Sequence, residues 1–449
     1  MYKITLPLRY LIKRRITYLA VLAVALSVFI ACVVLTVMHG LVDDFKHKNH
    51  RFVGDCVVGS SSIVGFAYYQ DFIRQLKQEP YIEAAAPLVR TFGLFTMERN
   101  DQSGGIEIFG IDPNTYARVT DFANTLYYRK NDLKSVFKPS YDPNLSGCVF
   151  GIDRIFLRNR NGTYAYYSTV PGYEFSITCF PLTAKGALKR SGLSEVSTKQ
   201  FYLSDVSCFG LARIDDHVVY MPLKHAQYLC GMAGLDKRIS AIHIKFKQGV
   251  SLDNGTERVN KLWQEYKNTN KHRPLAYLFD SVTVKNWKRV RRTTIAAVEK
   301  EETAIIIMFM LVGITTVFIV LVVFYMIISS KRKDIGIMRS VGVSRLSIVG
   351  LFGGFAGLIG LTGVLIGLVS AWQFLLRINA LEHWLDKHEN FQVWDRSMFA
   401  IGDIPSTMDP VVIFAIAGSA LIACFLGACI PTWQAAMLKP TETLQVNQL

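Results

Sequence analysis

Four stretches of the chain run without a charged side chain for longer than a bilayer crossing requires: Ile16–Val42, Thr303–Ser330, Leu346–Leu376 and Pro410–Leu438. A span takes about 20 apolar residues, and hydrocarbon offers the backbone no hydrogen-bond partner, so this pattern predicts four transmembrane helices. Between the first and the second, residues 43–302 change character. Short strand-like runs (Cys148–Gly151, Tyr164–Thr169, Ala241–Phe246) sit between turn signals such as Asn161-Gly162 and Asp253-Asn254-Gly255. Helical stretches fall at Tyr69–Gln78 and Thr256–Lys267. The mixture predicts a folded α+β domain inserted between helices one and two.

The first span follows Lys13-Arg14-Arg15, and Phe29-Ile30-Ala31-Cys32 loosely resembles a lipoprotein cleavage box. The apolar run continues through Val33–Met38, too long for a signal-peptide core, so it reads as an uncleaved membrane helix. Orientation follows from Lys and Arg placement. Residues 1–15 hold Lys3, Arg9, Lys13, Arg14 and Arg15 with no acid; residues 331–345 hold Lys331, Arg332, Lys333, Arg339 and Arg345 against Asp334. Residues 377–409 are net acidic. Both termini are therefore expected in the cytoplasm, with residues 43–302 outside. The expected order is a cytoplasmic N-terminal segment 1–15, helix one 16–42, the extracytoplasmic α+β domain 43–302, helix two 303–330 and a cytoplasmic loop 331–345. Helix three 346–376, an outer loop 377–409, helix four 410–432 and a cytoplasmic tail 433–449 complete it.

Composition agrees with this picture. The chain has 449 residues, is 51% hydrophobic and only 19% charged, against roughly 25% in soluble domains, which excludes disorder and an ordinary cytosolic enzyme. The net charge of +15 is spent on the cytoplasmic segments and on scattered basic residues of the insert. For these, contact with anionic lipid headgroups is a more physical use than nucleic acid, and most are simply a solvated face. Cys56, Cys148, Cys179, Cys208 and Cys230 lie in the insert, an odd number with no metal spacing, so buried unpaired thiols are expected.

Chemistry-bearing motifs are missing. The sequence has no GxxxxGK[ST], HExxH or GxSxG, so no nucleotide, metal or catalytic residue is assigned to this chain. Ser135-Val136-Phe137-Lys138 fits SxxK but has no companion motif, and the pairs His47/His50 and His383/His388 lack zinc geometry. None of the four spans contains an ionisable carboxylate, Lys or Arg, which disfavours an ion-coupled pump. The third is dense in glycine, with the small-xxx-small pairs Gly350/Gly354, Gly353/Gly357 and Gly363/Gly367 allowing close helix approach, within the chain or between subunits. Bulky apolar residues at the outer ends of helices one and two, Met38, Leu41, Met308 and Phe309 among them, suit either an acyl-chain site or ordinary lipid-facing packing.

The second cytoplasmic loop is more specific. Ser330-Lys331-Arg332-Lys333-Asp334-Ile335-Gly336-Ile337-Met338-Arg339-Ser340-Val341-Gly342-Val343-Ser344 resembles the segment joining spans two and three in the LolC/LolE family. These are permease subunits of the lipoprotein-releasing ABC transporter, related to the MacB and FtsX permeases. The likeness continues through Glu299-Lys300, Asp403-Ile404-Pro405, Pro431-Thr432-Trp433-Gln434-Ala435-Ala436 and Lys439-Pro440-Thr441-Glu442-Thr443-Leu444. Gly105–Pro113, Val219–Leu223 and Val37-Met38-His39-Gly40 are further points of similarity.

The resemblance implies a type VII, MacB-like ABC permease that is not itself an enzyme. A separate LolD-like ATPase would bind ATP and Mg and dock on Asp334, Ile335, Ile337, Met338, Arg339, Val341, Gly342 and Ser344. Its strokes, carried outward by helices one and two, would move a lipoprotein from the outer leaflet of the inner membrane to a LolA-like periplasmic carrier. The acyl chain would lie near Met38, Leu41, Met308 and Phe309. A second permease, identical or LolC/LolE-like, would complete the complex. The nearest counterpart of the carrier-docking hook is the run containing Pro181, Leu182, Lys185 and Gly186, which reads equally as a hairpin insertion. The rival reading is mechanotransmission of the MacB/FtsX kind, acting on a soluble periplasmic substrate or partner.

Overall fold

The computed structural model describes residues 15–97, 102–130, 132–159, 161–165, 169–189, 196–234, 237–389 and 403–437. The expected N-terminal segment and most of the C-terminal tail lie outside these. The described residues form two compact units, one of residues 15–43, 297–389 and 403–437, the other within residues 44–296.

In chain order, α1 (Arg15–Val53) is followed by the insert's elements. These are β1 (Cys56–Ser60), β2 (Phe66–Ala67), α2 (Tyr69–Gln78), β3 (Ile82–Met97), β4 (Gln102–Ile111), α3 (Pro113–Val119), β5 (Gly147–Gly151) and β6 (Glu174–Cys179). Then come β7 (Ser197–Ser207), β8 (Val218–Pro222), α4 (Leu223–Leu229), β9 (Arg238–Ile239), β10 (Ala241–Phe246), α5 (Leu252–Thr269) and β11 (Val282–Asn286). The chain ends in α6 (Arg292–Ser330), α7 (Arg332–Ser340), α8 (Arg345–Glu389) and α9 (Pro410–Met437). α1, α6, α8 and α9 are each long and apolar enough to cross a membrane.

The insert is built on a sheet ordered β11-β1-β10-β3-β4-β8-β5-β7-β6, in which β6 returns to pair with β3. Six strands, β3-β4-β8-β5-β7-β6, thus close into a ring, while β10, β1 and β11 extend it as an open wing. The 16-residue β3 serves both: Ile82–Leu88 pairs with β10, and Leu94–Met97 pairs with β6. Gly93 marks the changeover. A Cβ there would lie 2.8 Å from Ile108 Cδ1 and 2.9 Å from Thr178 O, so only glycine lets β6 approach. Phe95, Ile108, Phe150, Phe175, Phe201 and Val219 from the ring strands join Phe72 of α2 and Trp263 of α5 in one core. A second core gathers Phe109, Tyr116, Phe122 and Tyr220 with Phe52, from the last turn of α1.

Three local expectations change. Asp253-Asn254-Gly255 is no turn but the start of α5, because Gly255 lets the helix meet the Phe246 ring, 2.7 Å from a would-be Cβ. Tyr164–Thr169 forms no strand among its described residues; Tyr164 makes an isolated bridge to Arg158 and donates its hydroxyl to Asp153 at 2.6 Å. Residues 377–389, expected as a loop, continue α8, since Arg377–Glu389 holds neither glycine nor proline to stop it. All eight cysteines are free. Burial pushes the Cys56 and Cys230 thiols up to about 12, and those of Cys148 and Cys179 also rise.

In the helical unit, glycines decide the packing. Gly363 and Gly367 bring α8 against Val24 and Val28 of α1; Gly360 brings it against Cys424 of α9; Gly427 of α9 meets Val320 of α6. Gly350, Gly353 and Gly354 face open space. Of the three expected pairs, Gly363/Gly367 makes a helix contact through both members.

Candidate substrate cavity and coupling helix

A cavity of about 520 Å³ opens in the helical unit between α1, α6 and α9, within the roughly 300–1,000 Å³ of small-ligand sites. Space comes from small side chains: Ala31 on α1, Gly313 on α6, and Ala415, Ser419 and Ala423 at successive turns of α9. Leu35, Ile306, Phe309, Met310 and Leu426 give it an apolar, adaptable wall. Its polar atoms are spoken for. Ser27 Oγ and Thr316 Oγ1 share a hydrogen bond at 2.6 Å across α1 and α6, and Ser419 Oγ donates to Ile416 O at 2.9 Å. A lining with no free charge suits a hydrocarbon ligand.

Of the residues singled out for an acyl chain, Phe309 lines this cavity. Met38, Leu41 and Met308 do not; Met308, one residue from Phe309 on the helix, is exposed. Sequence reasoning favoured bulk and missed the small residues. Their signal was present in the four-residue spacing of Ala415, Ser419 and Ala423.

The loop after α6 folds into the short helix α7. It ends in a Schellman motif: Gly342 takes φ +91°, Val343 N donates to Met338 O at 3.0 Å and Gly342 N to Arg339 O at 3.1 Å. Ser344 then caps α8, its Oγ accepting from Ser347 N at 3.2 Å. Gly342 and Ser344 therefore shape the loop. Ile335 is buried in the helical core, and Met338 packs against the same cluster. Asp334 is paired with Lys331. Arg339 keeps a buried Nε without a hydrogen-bond partner among the described residues. Ile337 and Val341 are left pointing out, 53% and 79% exposed, the apolar pair of this loop open to a partner.

In the insert, Pro181–Lys189 is a tight hairpin. Lys189 N donates to Pro181 O at 2.7 Å, Gly186 takes φ +81° at the tip, and Leu182 bridges Leu188. Arg238, buried, pins its root by donating to Leu182 O at 2.8 Å, Gly231 O at 2.9 Å and Val64 O at 2.7 Å. Lys185 and Gly186 stand exposed at the tip, whereas Pro181 is buried.

The buried titratable groups of the insert organise loops. Asp205 accepts from Tyr128 N and Arg129 N, and burial raises its carboxyl. Asp215 accepts from Phe209 N, Gly210 N and Leu211 N, yet burial, with the Asp153 charge adding, pushes it up to about 7. Burial, aided by Arg90 and Arg291, depresses His243 to about 4. Ser135 of the SxxK match donates to Asp132 in an exposed turn. His50 bonds Asp55 at 2.6 Å and stacks on Trp287, a structural role.

Residues 305–440 match the FtsX-like permease C-terminal family. Over 434 residues, 96% of this chain and 94% of the relative, the sequence is 22% identical to the lipoprotein-releasing system transmembrane protein LolC of Neisseria meningitidis serogroup B. It is 23% identical to LolC of Xylella fastidiosa over 117 residues, 26% of this chain and 28% of that protein. Among solved structures, the periplasmic region of MacB from Actinobacillus actinomycetemcomitans covers 56% of this chain and 97% of its own length at 12% identity and TM-score 0.32. The extracellular domain of the Gram-positive transporter YknZ covers 52% of this chain and 99% of its own length at 10% identity and TM-score 0.29.

Proposed function

We propose that this chain, a multi-pass membrane protein similar to the FtsX-like permeases and to LolC, is an ABC-transporter permease of the LolC/LolE kind that extracts lipidated proteins from the outer leaflet of the bacterial inner membrane. The family implies an ABC ATPase as partner. In this reading the ATPase is LolD-like, binds ATP and Mg, and docks on the cytoplasmic loop at Ile337 and Val341. Both termini then lie in the cytoplasm. A second permease, identical or related, completes the translocation unit, and the substrate leaves to a LolA-like carrier that meets the Lys185–Gly186 hairpin tip.

The observation that carries the reading is the apolar cavity between α1, α6 and α9. An acyl chain drawn from the leaflet exchanges one hydrocarbon surrounding for another at little cost, and in the cavity it keeps the gain of about 0.8 kcal/mol per CH₂ over exposure to water. Closing the helices around the cavity would remove that gain and expel the chain, a differential affinity of the kind a power stroke needs.

The test uses a photo-crosslinking amino acid at Phe309, inside the cavity, and at Met308, outside it, in the chain purified with its co-expressed ATPase. The expected result is crosslinks to acylated proteins from position 309, not from 308, lost on adding ATP. An intact ATPase complex with no acylated protein crosslinked at 309 would replace this reading by mechanotransmission on a soluble partner.

A further inference from the structure

One turn beyond the cavity, the helices that wall it are joined through a single imidazole. His39 follows Leu35 by one turn on α1, Glu302 precedes Ile306 by one turn on α6, and Asp409 stands immediately before α9. His39 Nδ1 lies 3.3 Å from Glu302 Oε1, and His39 Nε2 lies 3.5 Å from Asp409 Oδ2. The other oxygen of Asp409 is committed to capping α9, accepting from Val411 N at 2.8 Å beside Pro410 in the first helical position. The segment that carries Asp409 is held independently. A Cβ on Gly40 would lie 2.5 Å from Pro405 Cβ, and the Asn379 side chain bonds Ile404 N at 2.9 Å and Ile404 O at 3.2 Å. The groups facing the ring are thus Glu302 from α6 and Asp409 from the segment before α9. One turn further along lie Asp43 on its own helix and Glu299 on α6, both acidic.

Each ring nitrogen faces a carboxylate. A neutral imidazole carries one N–H and one lone pair, so it can serve one carboxylate and must turn a lone pair on the other. An imidazolium donates to both, with charge-assisted bonds. The ring is 45% exposed and lies near the end of the predicted span 16–42. We propose that His39, Glu302 and Asp409 form a proton-operated clasp across the end of the cavity, closed when His39 is protonated and released from one helix when it is neutral. The clasp does not depend on what the cavity holds. Its further use, gating the entry of an acyl chain, rests on the lipoprotein reading above.

The experiment is hydrogen–deuterium exchange on the full chain in nanodiscs, at pD 5.5 and 8.0, corrected for the chemical exchange rate. Peptides covering residues 36–43 and 299–305 should exchange about tenfold faster at the higher pD, the size of one lost charged hydrogen bond. His39→Arg should remain protected at both. Glu302→Gln should abolish the pD step, because one N–H then suffices for the remaining carboxylate, and residues 345–375 should keep their wild-type protection in both variants as the check on folding. Equal wild-type exchange at the two pD values, or a His39→Arg variant that follows the wild type, overturns the clasp. A phospholipid with a diazirine in its acyl chain supplies the second readout, labelling residues 306–317 more at pD 8.0. A clasp that opens without any such labelling sustains the switch and defeats the acyl-chain reading instead.

Discussion

One methyl group added at Gly367 and one at Gly353 should move stability in opposite directions, although both glycines sit in the same apolar helix. At Gly367 the new Cβ would lie 2.7 Å from Ala25 O and 2.8 Å from Val28 Cβ, both on or next to the backbone of α1 and unable to rotate away. α8 and α1 must separate, and overpacking of this kind costs about 1–3 kcal/mol. Alanine returns up to about 1 kcal/mol of helix propensity, so Gly367→Ala should destabilise by roughly 1–2 kcal/mol. At Gly353 nothing lies within 4 Å of the added atom. Only the propensity acts, and Gly353→Ala should stabilise by about 0.5–1 kcal/mol. Unfolding of the purified chain in mixed micelles, followed by far-ultraviolet circular dichroism against increasing sodium dodecyl sulfate, separates the two. Equal effects at the two positions would refute the close approach of α1 to α8. A larger loss at Gly353 than at Gly367 would mean that the open face of α8 is covered by another subunit.

Three further expectations follow from the insert and the coupling loop. His243, neutral in the fold, contributes stability present above its unfolded value near 6.5 and lost as pH falls toward 4, roughly 3 kcal/mol, while Asp215 works the other way, its contribution lost as pH rises from about 4 to about 7. The two offset each other, so Asp215→Asn should unmask a steady loss of β10 exchange protection on acidification from pH 6.5 to 4, and an unchanged profile would sink the assignment. Arg238→Met removes donors from several buried carbonyls and should destabilise by about 3 kcal/mol, with limited proteolysis appearing first within residues 181–189. Val341→Asp should abolish co-purification of the ATPase with the fold intact, whereas Ile335→Asp, buried, should reduce the yield of folded chain itself.

The helices were legible because hydrocarbon demands long uncharged runs, and the coupling loop because its charges and apolar positions alternate within a few residues. α2 was readable to the residue, since Tyr69, Phe72 and Leu76 recur at helical spacing. The closing of the ring was not. It depends on Gly93, whose lack of a side chain makes room for the Ile108 side chain and for β6, far along the chain. Asp253-Asn254-Gly255 misled for the same reason: its turn propensity is local, and the Phe246 ring that uses Gly255 is not. The cavity was half legible, Phe309 by its bulk, while the space itself is a property of absent atoms. Gly342 and Ser344, attractive as docking residues, turn out to be the stop of one helix and the start of the next.

The double membership of β3 bears on how the insert is made. β1 must await β10 and β11, and the first half of β3 must await β10, partners encoded at the far end of the insert. During synthesis β1 and the outer edge of β3 wait unpaired while the ring strands that precede β10 are made, and pairings so distant in sequence form slowly. The ring can thus form before the wing, whose closure waits for β10, and a chaperone that shields β1 and the open edge of β3 in the interval would raise the yield of the folded insert.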